Sequence, residues 1–279
     1  MRKFEIPYNY DMQLIDRLAE KINVYKSQLE YVYLPCWEDD GLNTRMEYDQ
    51  YKNFHPKNRS DYEKHIKKFR DLGIGLNILF QRISDEDVSI DTIKYYEDMG
   101  VHSFTTNSDN LACKIKAHND KITTVASVTK LLSFEDYFQI DLSMYDYSVL
   151  QFPFERGLEA LKLLPKNLKY MIIVNNFGCV YNCKQCLEHW RTGIARCDSI
   201  RKTADGKEYK CGIYPKELIY FDEYIQCYKI AGRELDTNAL MSYVDYYLDP
   251  KPGEFFRRKR SMLNTACMDG TINISREAR

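Results

Sequence analysis

No charge of one sign dominates this sequence: 40 Lys and Arg residues stand against 41 Asp and Glu residues over 279 positions. That balance excludes a global field able to draw nucleic acid or an anionic membrane, so a polyanionic partner requires a local patch. Long apolar runs are missing too. The stretch Met1-Arg2-Lys3-Phe4-Glu5-Ile6-Pro7 has no apolar core of signal-peptide length and nothing later approaches a membrane span, so a cytoplasmic protein is expected. Two catalytic signatures are also absent. No helix carries the paired histidines of zinc proteases and no Ser/His/Asp set is evident, which leaves peptide hydrolysis without support.

Cysteine, in contrast, is plentiful. Nine thiols in a reducing compartment are not disulfide material, and the number is odd, so metal binding or burial must account for them. Tyrosine is frequent at 23 and reads as amphipathic packing at helical spacing. The densest chemistry follows Tyr170-Met171-Ile172-Ile173-Val174, an apolar, β-branched run that reads as a buried strand. Cys179, Cys183, Cys186 and His189 come directly after it, in the loop leaving the strand. Short Cys spacings let one loop wrap a soft metal or an iron-sulfur cluster, because thiolate is the ligand such centres select. Ordinary buried thiols are the bland alternative.

In order, the chain alternates strand and helix signals. Phe4 to Tyr8 is a strand, and Asp11 caps a helix carrying Leu14, Ile15, Leu18 and Ile22. Leu29 to Pro35 is the second strand, ending at Cys36, and Ser60 opens a helix along Ile66, Phe69 and Leu72 that Gly73 closes. Gly75 to Phe80 is the third; its helix carries Ile90, Ile93, Tyr96 and Met99, with Gly100 as a left-handed stop. Val101 to Thr106 is the fourth, followed by a helix from Asp109 in which Cys113 reads as packing. Ile122 to Val128 is the fifth, with a helix over Leu131 to Ile140, and Tyr147 to Phe152 is the sixth, with a helix over Gly157 to Leu164. After the seventh strand and its cysteine loop come a helix from Pro215 to Tyr224, a strand from Gln226 to Ala231, and a helix from Ala239 to Leu248 capped by Thr237.

Eight tandem β-α repeats predict a (β/α)8 TIM-like barrel over residues 1–250, with a cysteine-rich loop after strand 7 and residues 251–279 as a C-terminal extension. Barrel chemistry sits on the loops after the strand ends. The two longest are Trp37 to Arg59 and Leu187 to Tyr214, expected to form a lid. The run Arg257-Arg258-Lys259-Arg260 reads as a solvated face, with phosphate or RNA contact as the sharper alternative. Arg233, at the end of strand 8, stands where a barrel would clamp a carboxylate or phosphate bidentately, or else forms a structural ion pair.

The spacing Cys179-x-x-x-Cys183-x-x-Cys186 resembles that of radical S-adenosylmethionine enzymes, which implies a 4Fe-4S cluster with S-adenosylmethionine on its fourth iron. That family carries the motif after its first strand, and here it follows the seventh, with no glycine-rich cofactor segment after the next strand. A second resemblance accounts for the placement. Cys211-Gly212-Ile213-Tyr214-Pro215-Lys216-Glu217-Leu218, then Tyr228-Lys229-Ile230-Ala231-Gly232-Arg233-Glu234, is similar to the end of the collagenase-like peptidase family, whose barrels finish in a Cys, a helix and Lys-Ile-Glu-Gly-Arg. Ala231 stands where that family has Glu.

The resemblance implies the oxygen-independent hydroxylation of ubiquinone or RNA found in the family's iron-sulfur members, with a 4Fe-4S cluster on four thiols. Cys179 and Cys211 match its first and last cysteines; Cys183 and Cys186 fill the middle, Cys197 competes for a place, and Cys36 is a weaker candidate. His189 is a ligand, a proton donor, a hydrogen bond to a sulfide, or merely structural. Glu234, His189 and Glu155 are candidates for proton transfer, and Arg233 for orienting an anionic group. The expected partners are a small aromatic or RNA-bound substrate, an electron donor, and a second or related subunit. A structural zinc held by four thiolates, making the barrel a binding module, is the non-enzymatic alternative.

Overall fold

The structure, a computed structural model, describes residues 1–37, 56–80, 88–130, 132–150, 158–175, 213–233 and 235–250. Eight parallel strands close into one barrel in chain order. The first half runs β1 (Phe4–Pro7), α1 (Met12–Glu20), α2 (Ile22–Tyr25), β2 (Leu29–Pro35), α3 (Arg59–Asp71), β3 (Gly75–Phe80), α4 (Ile90–Asp98), β4 (Ser103–Thr106) and α5 (Asp109–His118). The second runs β5 (Thr123–Ala126), α6 (Asp136–Gln139), β6 (Tyr147–Val149), α7 (Leu158–Leu163), β7 (Lys169–Ile173), β8 (Cys227–Lys229) and α8 (Thr237–Leu248). Closure is sealed where Phe4 and Glu5 of β1 pair with Tyr228 and Lys229 of β8.

Local chemistry sets the helix starts. Asp11, Asn58, Ser89, Ser108 and Asp236 each turn a side-chain oxygen onto a first-turn backbone N–H, satisfying a donor that the helix itself leaves open. Two of these correct the sequence expectation by a residue or two. Asn58, not Ser60, caps α3, and Asp236, not Thr237, caps α8. Thr237 is buried instead, its hydroxyl donating to Asp11 and accepting from Asn9. Gly73 and Gly100 end their helices at φ of 69° and 86°, the left-handed stops expected of them.

The second half is more economical than expected. The helix sought over Leu131 to Ile140 is a 3-10 turn at Val128–Lys130 and a single helical turn at α6, and Pro215–Tyr220 is a 3-10 helix. The expected helix over Ala239 to Leu248 is present in full.

Two apolar layers result. Outward-facing Phe4, Ile6, Val32, Leu34, Ile78, Phe80, Phe104 and Ile172 pack with the helices in one continuous core. Val125, Val149, Met171, Ile173 and Cys227, from β5 to β8, form a separate small cluster within the barrel. Among the described residues no helix is long and apolar enough to cross a membrane.

Cys113 departs from its expected role. Leu111, Ala112 and Ile115 of α5 are buried while Cys113 is exposed, because the helical turn of about 100° per residue carries it to the far side. Packing therefore does not account for that thiol.

Candidate functional site

Opposite the apolar half of the lumen lies a polar half. Glu5, Tyr33, Asn77, Thr105 and Lys229 alternate with outward residues on β1, β2, β3, β4 and β8, so strand periodicity turns them toward the barrel axis. Glu5 is fully buried and forms an ion pair with Lys229. Asn77 Nδ2 donates to the other Glu5 oxygen, and Thr105 Oγ1 donates to Asn77 Oδ1 at 3.0 Å. Tyr33 crosses the lumen to donate to the Ile230 carbonyl at 2.8 Å. Its ring carries Lys229 Nζ at 3.6 Å and Arg233 Cζ at 5.9 Å from the centroid, so both side chains lie against one aromatic ring.

Burial holds the Lys229 amine below its ordinary pKa, opposed by the Glu5 carboxylate and reinforced by the Arg233 guanidinium. Cys227, one inward position earlier on β8, is pushed well up by burial and by Glu5, so it is a thiol rather than a thiolate.

At the C-terminal rim, β7 and β8 are locked together beyond their last pair. Asn175 donates to the Ala231 carbonyl at 2.7 Å and accepts from the Ala231 N–H at 2.6 Å. The chain leaves the described structure just past Asn175 and returns at Ile213, whose N–H donates to the Val174 carbonyl at 2.8 Å. Tyr247 of α8 donates to both the Val174 and Ile213 carbonyls, at 3.2 and 2.9 Å. Val174 and Ile213, the described residues on either side of the five-cysteine stretch in sequence, thus meet at one point of the rim.

Gly232 makes the β8 exit possible. Its φ is 125°, and a Cβ there would meet Leu235 Cδ1 at 2.6 Å, so only glycine turns the chain between Lys229 and Arg233 this way.

Arg233 is the one expected catalytic residue among the described residues, and it is buried at the rim. His189, Glu155, Glu234, Cys179, Cys183, Cys186, Cys197 and Cys211 lie outside the described residues, as do most of the expected lid and the extension 251–279. Cys36 is buried at the end of β2, where its N–H donates to the Leu79 carbonyl at 3.0 Å. Among the described residues no three His, Cys, Asp or Glu side chains converge as a metal-binding group.

Sequence reasoning passed over Glu5, Asn77 and Lys229. Each is a polar residue between apolar neighbours in an expected strand, a pattern that points into the lumen once the barrel is closed.

With this geometry, known structures can be compared. The U32 peptidase Mk0906 superimposes with a TM-score of 0.53 at 12% identity, covering 83% of this chain and 93% of that one. This chain shares its barrel fold. Tryptophan synthase from M. tuberculosis matches with a TM-score of 0.51 at 9% identity, covering 88% of this chain and 89% of that one. The tryptophan synthase alpha-subunit from Pyrococcus furiosus matches with a TM-score of 0.50 at 14% identity, covering 89% and 99%. No family model and no curated protein sequence matches the chain. At these identities the likeness establishes the barrel, and chemistry must be argued from the site itself.

Proposed function

We propose that this barrel is an iron-sulfur enzyme performing an oxygen-independent redox modification, a hydroxylation in its simplest form, on a small aromatic or RNA-bound substrate. The supporting observation is the rim clasp: Val174 and Ile213 bond directly, and the intervening chain carries Cys179, Cys183, Cys186, Cys197 and Cys211. In sequence, Cys179 follows Asn175 by four residues and Cys211 precedes Ile213 by two. The C-terminal rim of a barrel is where its chemistry sits.

The donor set fits a 4Fe-4S cluster, since thiolates are what such a cluster takes. Cys179, Cys183, Cys186 and Cys211 would hold it, with Cys197 in reserve, and it would supply electron transfer and Lewis acidity. The chain's own contribution is positional. Tyr33 and the buried Glu5–Lys229 pair form the floor, Arg233 orients an anionic group of the substrate, and Glu155, His189 and Glu234 move protons. An external electron donor completes the system, and a related subunit is the natural partner.

Anaerobic purification with iron and sulfide analysis and electron paramagnetic resonance tests the reading. Four iron and four sulfide per chain are expected. Cys179→Ala and Cys183→Ala should lose iron and lower the melting temperature, because ligation is coupled to folding. Stoichiometric zinc in colourless protein, or full iron retention in either variant, overturns the assignment.

A further inference from the structure

The Glu5–Lys229 pair is more than a floor. An amine and a guanidinium meet at the Tyr33 ring at the C-terminal end of β8, with Lys229 Nζ at 3.6 Å and Arg233 Cζ at 5.9 Å from its centroid, and a carboxylate, Glu5, pairs with the amine. Lys229 is the last residue of its strand and its side chain is 9% exposed, while Glu5 beneath it is wholly enclosed. The amine is thus the member of the pair placed to meet a ligand entering from the rim.

Desolvation next to a second cation is how a lysine is made nucleophilic, since both favour the neutral amine. The groups facing Lys229 are Glu5 from β1, Tyr33 from β2, Cys227 from its own strand and Arg233 from the turn beyond. Burial, the largest influence, and the Arg233 guanidinium lower the pKa of the amine, the Glu5 carboxylate raises it, and the net shift is downward. Glu5 is also within hydrogen-bond reach of Nζ, where a general acid/base must be. Its second oxygen is fixed by Asn77, which Thr105 fixes in turn. The carboxylate therefore cannot rotate away from the amine without breaking that chain of bonds.

We propose that Lys229 forms a Schiff base with the carbonyl carbon of a small oxo acid whose carboxylate is held by Arg233. The Lys229 nitrogen pair attacks the carbonyl carbon and the C=O π electrons move to oxygen. Glu5 carries the two amine protons from nitrogen to the oxygen in turn, and as the C–O bond breaks and the nitrogen pair forms the C=N bond the oxygen departs as water. One amine and one carbonyl thus give one imine and one water, with no net change in oxidation state. No oxidant or metal is needed, so the step is independent of the cluster reading.

The test uses the full-length protein with pyruvate or glyoxylate and sodium cyanoborohydride, followed by peptide mapping by mass spectrometry. One reduced adduct on Lys229 is expected. Lys229→Arg keeps the charge but forms no imine and should show no adduct at that site. Glu5→Gln should slow labelling by about 100-fold, the scale of a general acid/base contribution. Circular dichroism confirms that each variant is folded. Because wild type is read directly by mass, a variant that fails to fold does not spoil the result. Labelling spread over surface lysines, or wild-type protein without a Lys229 adduct, overturns the proposal. Iron content is unaffected by either outcome.

Discussion

Burying an ammonium and a carboxylate in a barrel costs several kcal/mol of desolvation per ion, and their mutual attraction offsets this only with good geometry and further hydrogen bonds. Glu5 and Lys229 meet those conditions through Asn77, Thr105 and the Tyr33 face. Apolar residues of similar volume often fill such a space without loss of stability, and Val125, Val149 and Met171 fill the lumen on the β5–β7 side. Retaining charge on one side only is the mark of a site rather than of a core. Lys229→Met should accordingly cost about 3–5 kcal/mol, because it strands a buried carboxylate. The double variant Glu5→Gln/Lys229→Met should recover most of that loss. Urea denaturation of the four proteins in the cycle checks this, and strictly additive effects would show that the two residues do not interact.

At the scale of elements, the rim clasp depends on groups that lie outside the strands it joins. Tyr247→Phe keeps the ring in the α8 core but removes the hydroxyl shared by the Val174 and Ile213 carbonyls, and should cost about 1–3 kcal/mol. Asn175→Ala leaves both backbone groups of Ala231 without their side-chain partner and should cost a similar amount. Limited proteolysis should show earlier cleavage between residues 176 and 212 in both variants; unchanged cleavage would mean that the clasp does not hold that segment. Elements governed by periodicity were legible in the sequence: β2 and β3 run between the residues their apolar runs marked, and Gly73 and Gly100 end their helices as expected. The one-turn α6 was not, because Phe138 and Ile140 complete a helical pattern in the sequence yet stand exposed. Periodicity signals amphipathic order, and it cannot tell which face finds a core. The site was legible only in part. Arg233 was found from its place after β8, while Glu5 and Lys229 were missed because an isolated charge in a short strand gains meaning only when closure brings β1 beside β8.

For the whole molecule, closure follows from repetition, since eight right-handed units in chain order have one compact arrangement with no exposed sheet edge. What repetition does not explain is how a core so rich in tyrosine stays stable. Tyr8, Tyr25, Tyr62, Tyr96 and Tyr228 are among the largest fully buried side chains, and their hydroxyls need partners. Tyr8 meets His65 Nδ1 at 2.9 Å, Tyr62 donates to the Pro35 carbonyl at 2.7 Å, and Tyr228 donates to Asp222 at 2.8 Å. Burial raises the phenol pKa of Tyr8, Tyr25 and Tyr228, and carries Tyr147 and Tyr170 up to about 12. The unfolded chain ionises its phenols near pH 10. Since the folded-state values lie above that, the contribution of these groups is fully present below about pH 10 and is lost as pH climbs through 12. Lys229 runs the other way: its folded pKa is lowered, so its burial penalty eases as pH rises toward about 10.4, where the unfolded lysine titrates. One amine set against several phenols predicts level or slightly rising stability up to about pH 10 and a steep fall above it. Urea midpoints measured across that range, with phenolate absorbance followed in parallel, should show the buried class ionising together with unfolding. Complete ionisation near pH 10 with the urea midpoint unchanged would mean that these tyrosines are not enclosed as the structure has them.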